Sequence, residues 1–68
     1  MDVTIQLNGE AYSIEDGIRL EALLERLVLG RTRIAVEVNQ QVVPKADYAN
    51  TVLGKGDQIE IINFVGGG

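Results

Sequence analysis

The 68-residue sequence contains no cysteine and no histidine. Without cysteine there is no disulfide, no thiolate metal ligand and no thiol nucleophile. Without histidine there is no imidazole base to activate a serine. Ten acidic residues are present, but acid–base catalysis by carboxylates also needs a walled substrate pocket. A domain of this size buries only about 60% of its unfolded surface and has little material for such walls. The chain therefore reads as a protein that is acted upon, not as an enzyme.

Basic residues are few, six Lys and Arg against ten Asp and Glu, for a formal net charge of −4. That balance argues against a nucleic-acid partner, which requires basic patches. No apolar run approaches the roughly 20 residues of a membrane span, and the first residues alternate apolar and polar instead of forming a signal peptide. The expectation is one cytoplasmic domain, with no membrane or nucleic-acid partner, no metal and no bound cofactor.

The 46% hydrophobic content is normal for a folded domain, and its spacing is informative. Val3, Ile5 and Leu7 alternate with polar residues, which predicts a half-buried strand. Asn8-Gly9 is a two-residue hairpin signal, because both residues tolerate positive φ. Glu10 to Ile14 should return antiparallel with Tyr12 and Ile14 on one face. After a turn at Glu15-Asp16-Gly17, Leu20, Leu23, Leu24, Leu27 and Val28 form one apolar helical stripe. Asp16 is the best N-cap acceptor nearby, although early for the role, and Gly30 suits the C-cap with Arg31 and Arg33 complementing the dipole.

Ile34 to Val38 predicts a third strand. Asn39-Gln40-Gln41 turns the chain, and Val42-Val43 pairs briefly before Pro44, the single proline, ends an edge strand because it cannot donate to a ladder. Ala46 to Asn50 reads as one helical turn or a loop, with Tyr48 over the core edge and Val52 and Leu53 covering the bottom of the sheet. Gly54-Lys55-Gly56-Asp57, with two glycines available for φ > 0, launches a last strand over Gln58 to Val65. The order β-β-α-β-β-β, with right-handed crossovers, places the last strand parallel to the first in the sheet centre. The fold class is α+β: a β-grasp, ubiquitin-like mixed sheet with one helix packed across one face. Its boundaries are 1–65 for the domain and 66–68 for a flexible glycine tail.

Alternation puts Ile59 and Ile61 against the helix. Ile62 and Phe64 then share the face of Glu60, the uncovered side, where polar residues are the rule. Together with Val65 they make a partner-binding patch; a bulge that re-phased the strand would instead bury Phe64. Three successive glycines follow, an arrangement expected at roughly one position in three thousand from average usage. Gly66 and Gly67 are expected to thread a narrow channel in another protein and deliver the carboxylate of Gly68. A frayed end is the plain alternative.

Taken together, the chain resembles the ThiS family, the sulfur carriers of thiamine (thiazole) biosynthesis. The resemblance spans the whole chain. It rests on Leu7-Asn8-Gly9, the Leu23-Leu24 helix, Ala35-Val36-Glu37-Val38-Asn39, Val42-Val43-Pro44, Gly56-Asp57-Gln58-Ile59 and Phe64-Val65-Gly66-Gly67-Gly68. It implies that the carboxylate of Gly68 is adenylated with ATP by a ThiF-like partner resembling ubiquitin-activating enzymes. A persulfide sulfur donor then converts it to a thiocarboxylate, which supplies sulfur to a ThiG-like thiazole synthase. Gly66 and Gly67 match the family's leader position and diglycine. Three alternatives share the architecture: the small subunit of molybdopterin synthase, a protein modifier that forms isopeptide bonds, and a TGS-type interaction domain without covalent chemistry.

Overall fold

The computed structural model of the chain describes residues 1–27 and 33–64. Strands β1 (Asp2–Leu7) and β2 (Glu10–Glu15) form a hairpin, followed by helix α1 (Leu20–Arg26), strands β3 (Ile34–Val38) and β4 (Gln41–Val42), a 3₁₀ helix (Lys45–Asn50) and strand β5 (Gln58–Asn63). The sheet order is β2-β1-β5-β3-β4. β5 lies in the centre, parallel to β1 and antiparallel to β3. This is the expected β-grasp: a mixed five-stranded sheet with a helix across one face.

The turns follow residue chemistry. Asn8 and Gly9 have φ of 51° and 84°, which lets a two-residue turn match the twist of the β1–β2 ladder. The β3–β4 turn uses Asn39 and Gln40 at φ of 52° and 70°, so Gln41 belongs to β4 and not to the turn. In the stretch before β5 only Gly56 takes positive φ, at 82°. Asp57 stabilises this stretch: its carboxylate accepts the Gly54 N–H at 2.9 Å and the Asn39 carboxamide at 3.1 Å.

One face of the sheet meets α1. Ile5, Ile14, Val36 and Ile59 from the strands are buried against Leu20, Leu23 and Leu24 of the helix, with Leu53 closing the end. Leu27, Tyr12 and Tyr48 pack around them, partly buried. Burying one such side chain contributes about 1.5–3 kcal/mol, so this single core is the main stabilising feature.

Several expectations need correction. Asp16 is not the N-cap: that position falls to Arg19, without a side-chain cap bond. The Thr51 carbonyl accepts the Leu20 N–H at 2.8 Å instead, satisfying a donor that a cap would otherwise take. Val52 does not cover the sheet; it is 54% exposed. Residues 51–53 run extended beside 17–20, with Arg19 bridged antiparallel to Val52. Alternation along that segment sends Leu53 inward and Val52 outward. β5 stops at Asn63, not Val65. Val28, Gly30 and Arg31, to which the helix stripe and its C-cap were assigned, lie outside the described residues.

Candidate functional site

The open face of the sheet is the candidate site. β5 follows the expected alternation without a bulge: Ile59 is buried, while Ile62 and Phe64 are 51% and 55% exposed. Each is the second residue on from a polar or apolar neighbour on that face, giving the row Gln58, Glu60, Ile62, Phe64. The Phe64 N–H donates to the Arg33 carbonyl at 2.9 Å, so the β3–β5 pairing continues to Phe64 and presents its ring from an ordered backbone. Val65, Gly66, Gly67 and Gly68, assigned to the patch and the tail, lie outside the described residues.

Sequence reasoning missed two parts of this face. Val42 is 69% exposed and is the register partner of Glu37. Glu37 is in turn the register partner of Glu60. Cross-strand partners share a face, so Val42, Glu37 and Glu60 form one row beside Ile62, whose own partner is Ala35. The signal was present in the interruption of Val36 and Val38 by Glu37, but joining it to Glu60 requires a pairing between segments more than twenty positions apart.

An open depression of about 380 Å³ lies alongside Glu60 and is lined by Gln6, Asn8, Gly9, Gln58, Ile59 and Glu60. Among the described residues no group of His, Cys, Asp and Glu is arranged to hold a metal ion, and no helix is long and apolar enough to cross a membrane. The depression is open, and Gln6, Asn8 and Gln58 contribute carboxamides to its lining. What this face offers is a surface: the exposed side chains of Val42, Ile62 and Phe64 beside two carboxylates, Glu37 on β3 and Glu60 on β5.

Fold and surface together define a ubiquitin-like β-grasp protein with an exposed apolar and acidic sheet face. The chain belongs to the ThiS family, whose model matches residues 5–68. The "Sulfur carrier protein ThiS" of Escherichia coli is 33% identical over 64 residues, 94% of this chain and 97% of that protein. A crystal structure of the thiamine biosynthesis protein ThiS from Geobacter metallireducens superposes with a TM-score of 0.83 at 25% identity, covering 97% of this chain and all of that one. A thiazole synthase from Magnetococcus marinus is 45% identical over 64 residues, 94% of this chain. This chain spans only 20% of that protein's length.

Proposed function

We propose that this protein is a sulfur carrier for thiazole formation in thiamine biosynthesis, and that it serves as the substrate of its partner enzymes. The observation that carries the proposal is that the family match runs to residue 68, through all three glycines. The region of similarity in a thiazole synthase supports thiazole synthase as the recipient of the sulfur, since a segment joined to an enzyme in one chain is held at high effective concentration beside it.

The chemistry follows from the carboxylate. An α-carboxyl has a reference pKa of about 3.3–3.7, so at neutral pH it is an anion and a poor electrophile. In a ThiF-like adenylating enzyme the Gly68 carboxylate attacks the α-phosphorus of ATP and expels pyrophosphate, giving an acyl-adenylate. The terminal sulfur of a persulfide donor attacks the carbonyl carbon and AMP leaves. A second thiol cleaves the resulting sulfur–sulfur bond, forming a disulfide with the donor and releasing the thiocarboxylate. The carrier has no cysteine, so its own part is limited to docking, reach and the terminal carboxylate. ATP is consumed by the partner and is not a resident cofactor of this chain.

Gly66 and Gly67 serve by thinness. Gly67→Val keeps the tail length but adds a β-branched side chain that is stiff at χ1 and excludes positive φ. ATP–pyrophosphate exchange with the adenylating enzyme tests this reading. The wild-type chain is expected to support exchange, and Gly67→Val is expected to lose it with an unchanged thermal midpoint. Exchange at the unmodified rate would contradict the threading role.

A further inference from the structure

The β1–β2 turn joins Asn8 to Gly9, and an asparagine followed by glycine is chemically labile. Glycine places no side chain beside the backbone nitrogen that attacks the carboxamide, and it leaves the chain free to reach the ring-closing conformation. Both residues are exposed and the space beside Gly9 is open, so burial shields neither. The backbone does. With φ of 51° and 84° at its two central residues the turn is type I′. In such a turn ψ of the first central residue is about +30°, which puts the Gly9 nitrogen and the Asn8 Cβ on opposite sides of the Asn8 Cα–C bond. A five-membered ring needs them on the same side. The side chain is held as well, since Asn8 Oδ1 accepts the Ile61 N–H at 2.8 Å. That bond polarises the carboxamide carbon, but an electrophile out of reach of its nucleophile gains nothing from it. Asn39 is placed alike, at φ of 52° with its Oδ1 accepting the Gln58 N–H at 3.0 Å. It precedes Gln40, however, and Asn50 and Asn63 precede Thr51 and Phe64, all with side chains that crowd the nitrogen.

We propose that Asn8 is a deamidation site that the native turn keeps closed and unfolding opens, so that the chain carries a covalent record of having unfolded. In the opened chain the Gly9 nitrogen loses its proton to water and attacks Asn8 Cγ. The new N–C bond forms, the Cγ–Nδ2 bond breaks, and the amide leaves as ammonia. Water then opens the succinimide at either carbonyl, giving aspartate or isoaspartate at position 8. Nothing is oxidised or reduced, and no partner enzyme takes part. The two products differ in their effect on the fold. Aspartate keeps an acceptor for the Ile61 N–H and tolerates the left-handed region. Isoaspartate routes the main chain through the side-chain carbon. It adds a methylene to a two-residue turn whose length sets Leu7 against Glu10, because hairpin register follows loop length. It also displaces the oxygen that β5 uses. Chains carrying it cannot rebuild the hairpin.

The test incubates the full chain in mildly alkaline buffer, with and without urea above the unfolding midpoint. Each asparagine peptide is followed by mass and by isoaspartate-specific methylation. Conversion of Asn8 in native buffer is expected to be slower by about tenfold or more, since reaction waits on opening of the hairpin. In urea Asn8 is expected to convert faster than Asn39, Asn50 and Asn63 of the same sample. Leu24→Ala, in the core and away from the turn, is expected to raise the native-buffer rate, whether it folds with lower stability or unfolds outright. Returned from urea, isoaspartate-containing chains are expected to lack the cooperative thermal transition, while Asn8→Asp refolds and keeps it.

Equal rates with and without urea, or an unchanged rate in Leu24→Ala, overturn the proposal that folding closes the site. Conversion of Asn39, Asn50 or Asn63 as fast as Asn8 in urea contradicts the choice of Asn8 as the site. A wild-type thermal transition in isoaspartate-containing chains contradicts the claim that this product cannot rebuild the turn.

Discussion

The Asn8 side-chain oxygen accepts the Ile61 N–H at 2.8 Å, across 53 positions of sequence. This bond marks where β1 stops pairing with β5, beyond Leu7 and Ile59. Asn8 meanwhile holds φ of 51° in the hairpin turn. One residue thus shapes the turn and ties the turn to the central strand just before the exposed Ile62. Asn8→Gly keeps access to positive φ but loses the bond, and is expected to cost about 0.5–1.5 kcal/mol. Asn8→Ala adds the left-handed penalty of about 1–2 kcal/mol and should be the worse of the two in urea unfolding. An alanine variant as stable as the glycine variant would show that the turn conformation is not retained.

Leu24 is buried in the centre of the helix stripe, 2% exposed. Leu24→Ala is expected to destabilise by about 2–5 kcal/mol, a large part of the total for a domain with one small core. Denaturant unfolding measures it directly. A loss under about 0.5 kcal/mol, as for a surface position, would place the stripe on the wrong side of the helix.

The fold was legible because its signals are local and mutually consistent. Val3-Ile5-Leu7, Asn8-Gly9 and the Leu20-Leu23-Leu24 stripe each specify one element, and a hairpin, a helix and returning strands leave few right-handed arrangements. The exposure of Ile62 and Phe64 was legible for the same reason, since two-residue alternation from buried Ile59 carries through to Phe64. The misses are non-local. Leu20 takes its hydrogen-bond acceptor from Thr51, so a cap residue near Asp16 was not needed. Val52 turned outward because its segment runs extended beside Arg19. The Glu37–Glu60 pair exists only once the β3–β5 register is known.

Glu15 and Arg26 form an ion pair on the surface, linking β2 to the last turn of α1. The hydrogen bond from the Arg26 guanidinium lowers the Glu15 pKa below its ordinary value. A carboxylate with a depressed folded pKa contributes stability above its unfolded pKa, and that contribution is lost as pH falls through the folded pKa. Arg26→Gln should therefore raise the Glu15 titration midpoint in an NMR pH series and flatten the acid-side dependence of stability. Both side chains are exposed, 38% and 57%, so the change in stability at neutral pH should be small. An unshifted Glu15 midpoint would show that the pair does not persist in solution.

Phe64 offers its ring to a partner from the end of an ordered ladder. Phe64→Asp is expected to leave the thermal midpoint nearly unchanged, because the ring is half exposed. It should weaken binding to the adenylating enzyme by about 2 kcal/mol or more, as for an aromatic anchor at an interface. Calorimetric affinity and thermal unfolding on the same sample check the two halves. Unfolding without a selective binding defect would make Phe64 a structural residue.

The sulfur-carrier proposal stands or falls on the Gly68 carboxylate. Intact-mass spectrometry of the chain after incubation with ATP, the adenylating enzyme and a persulfide donor reads it directly. The expected product is heavier by the exchange of one oxygen atom for one sulfur atom, with the gain located in the C-terminal peptide and absent when ATP is omitted. An unmodified mass under conditions in which the enzyme consumes ATP with another carrier would contradict the proposal.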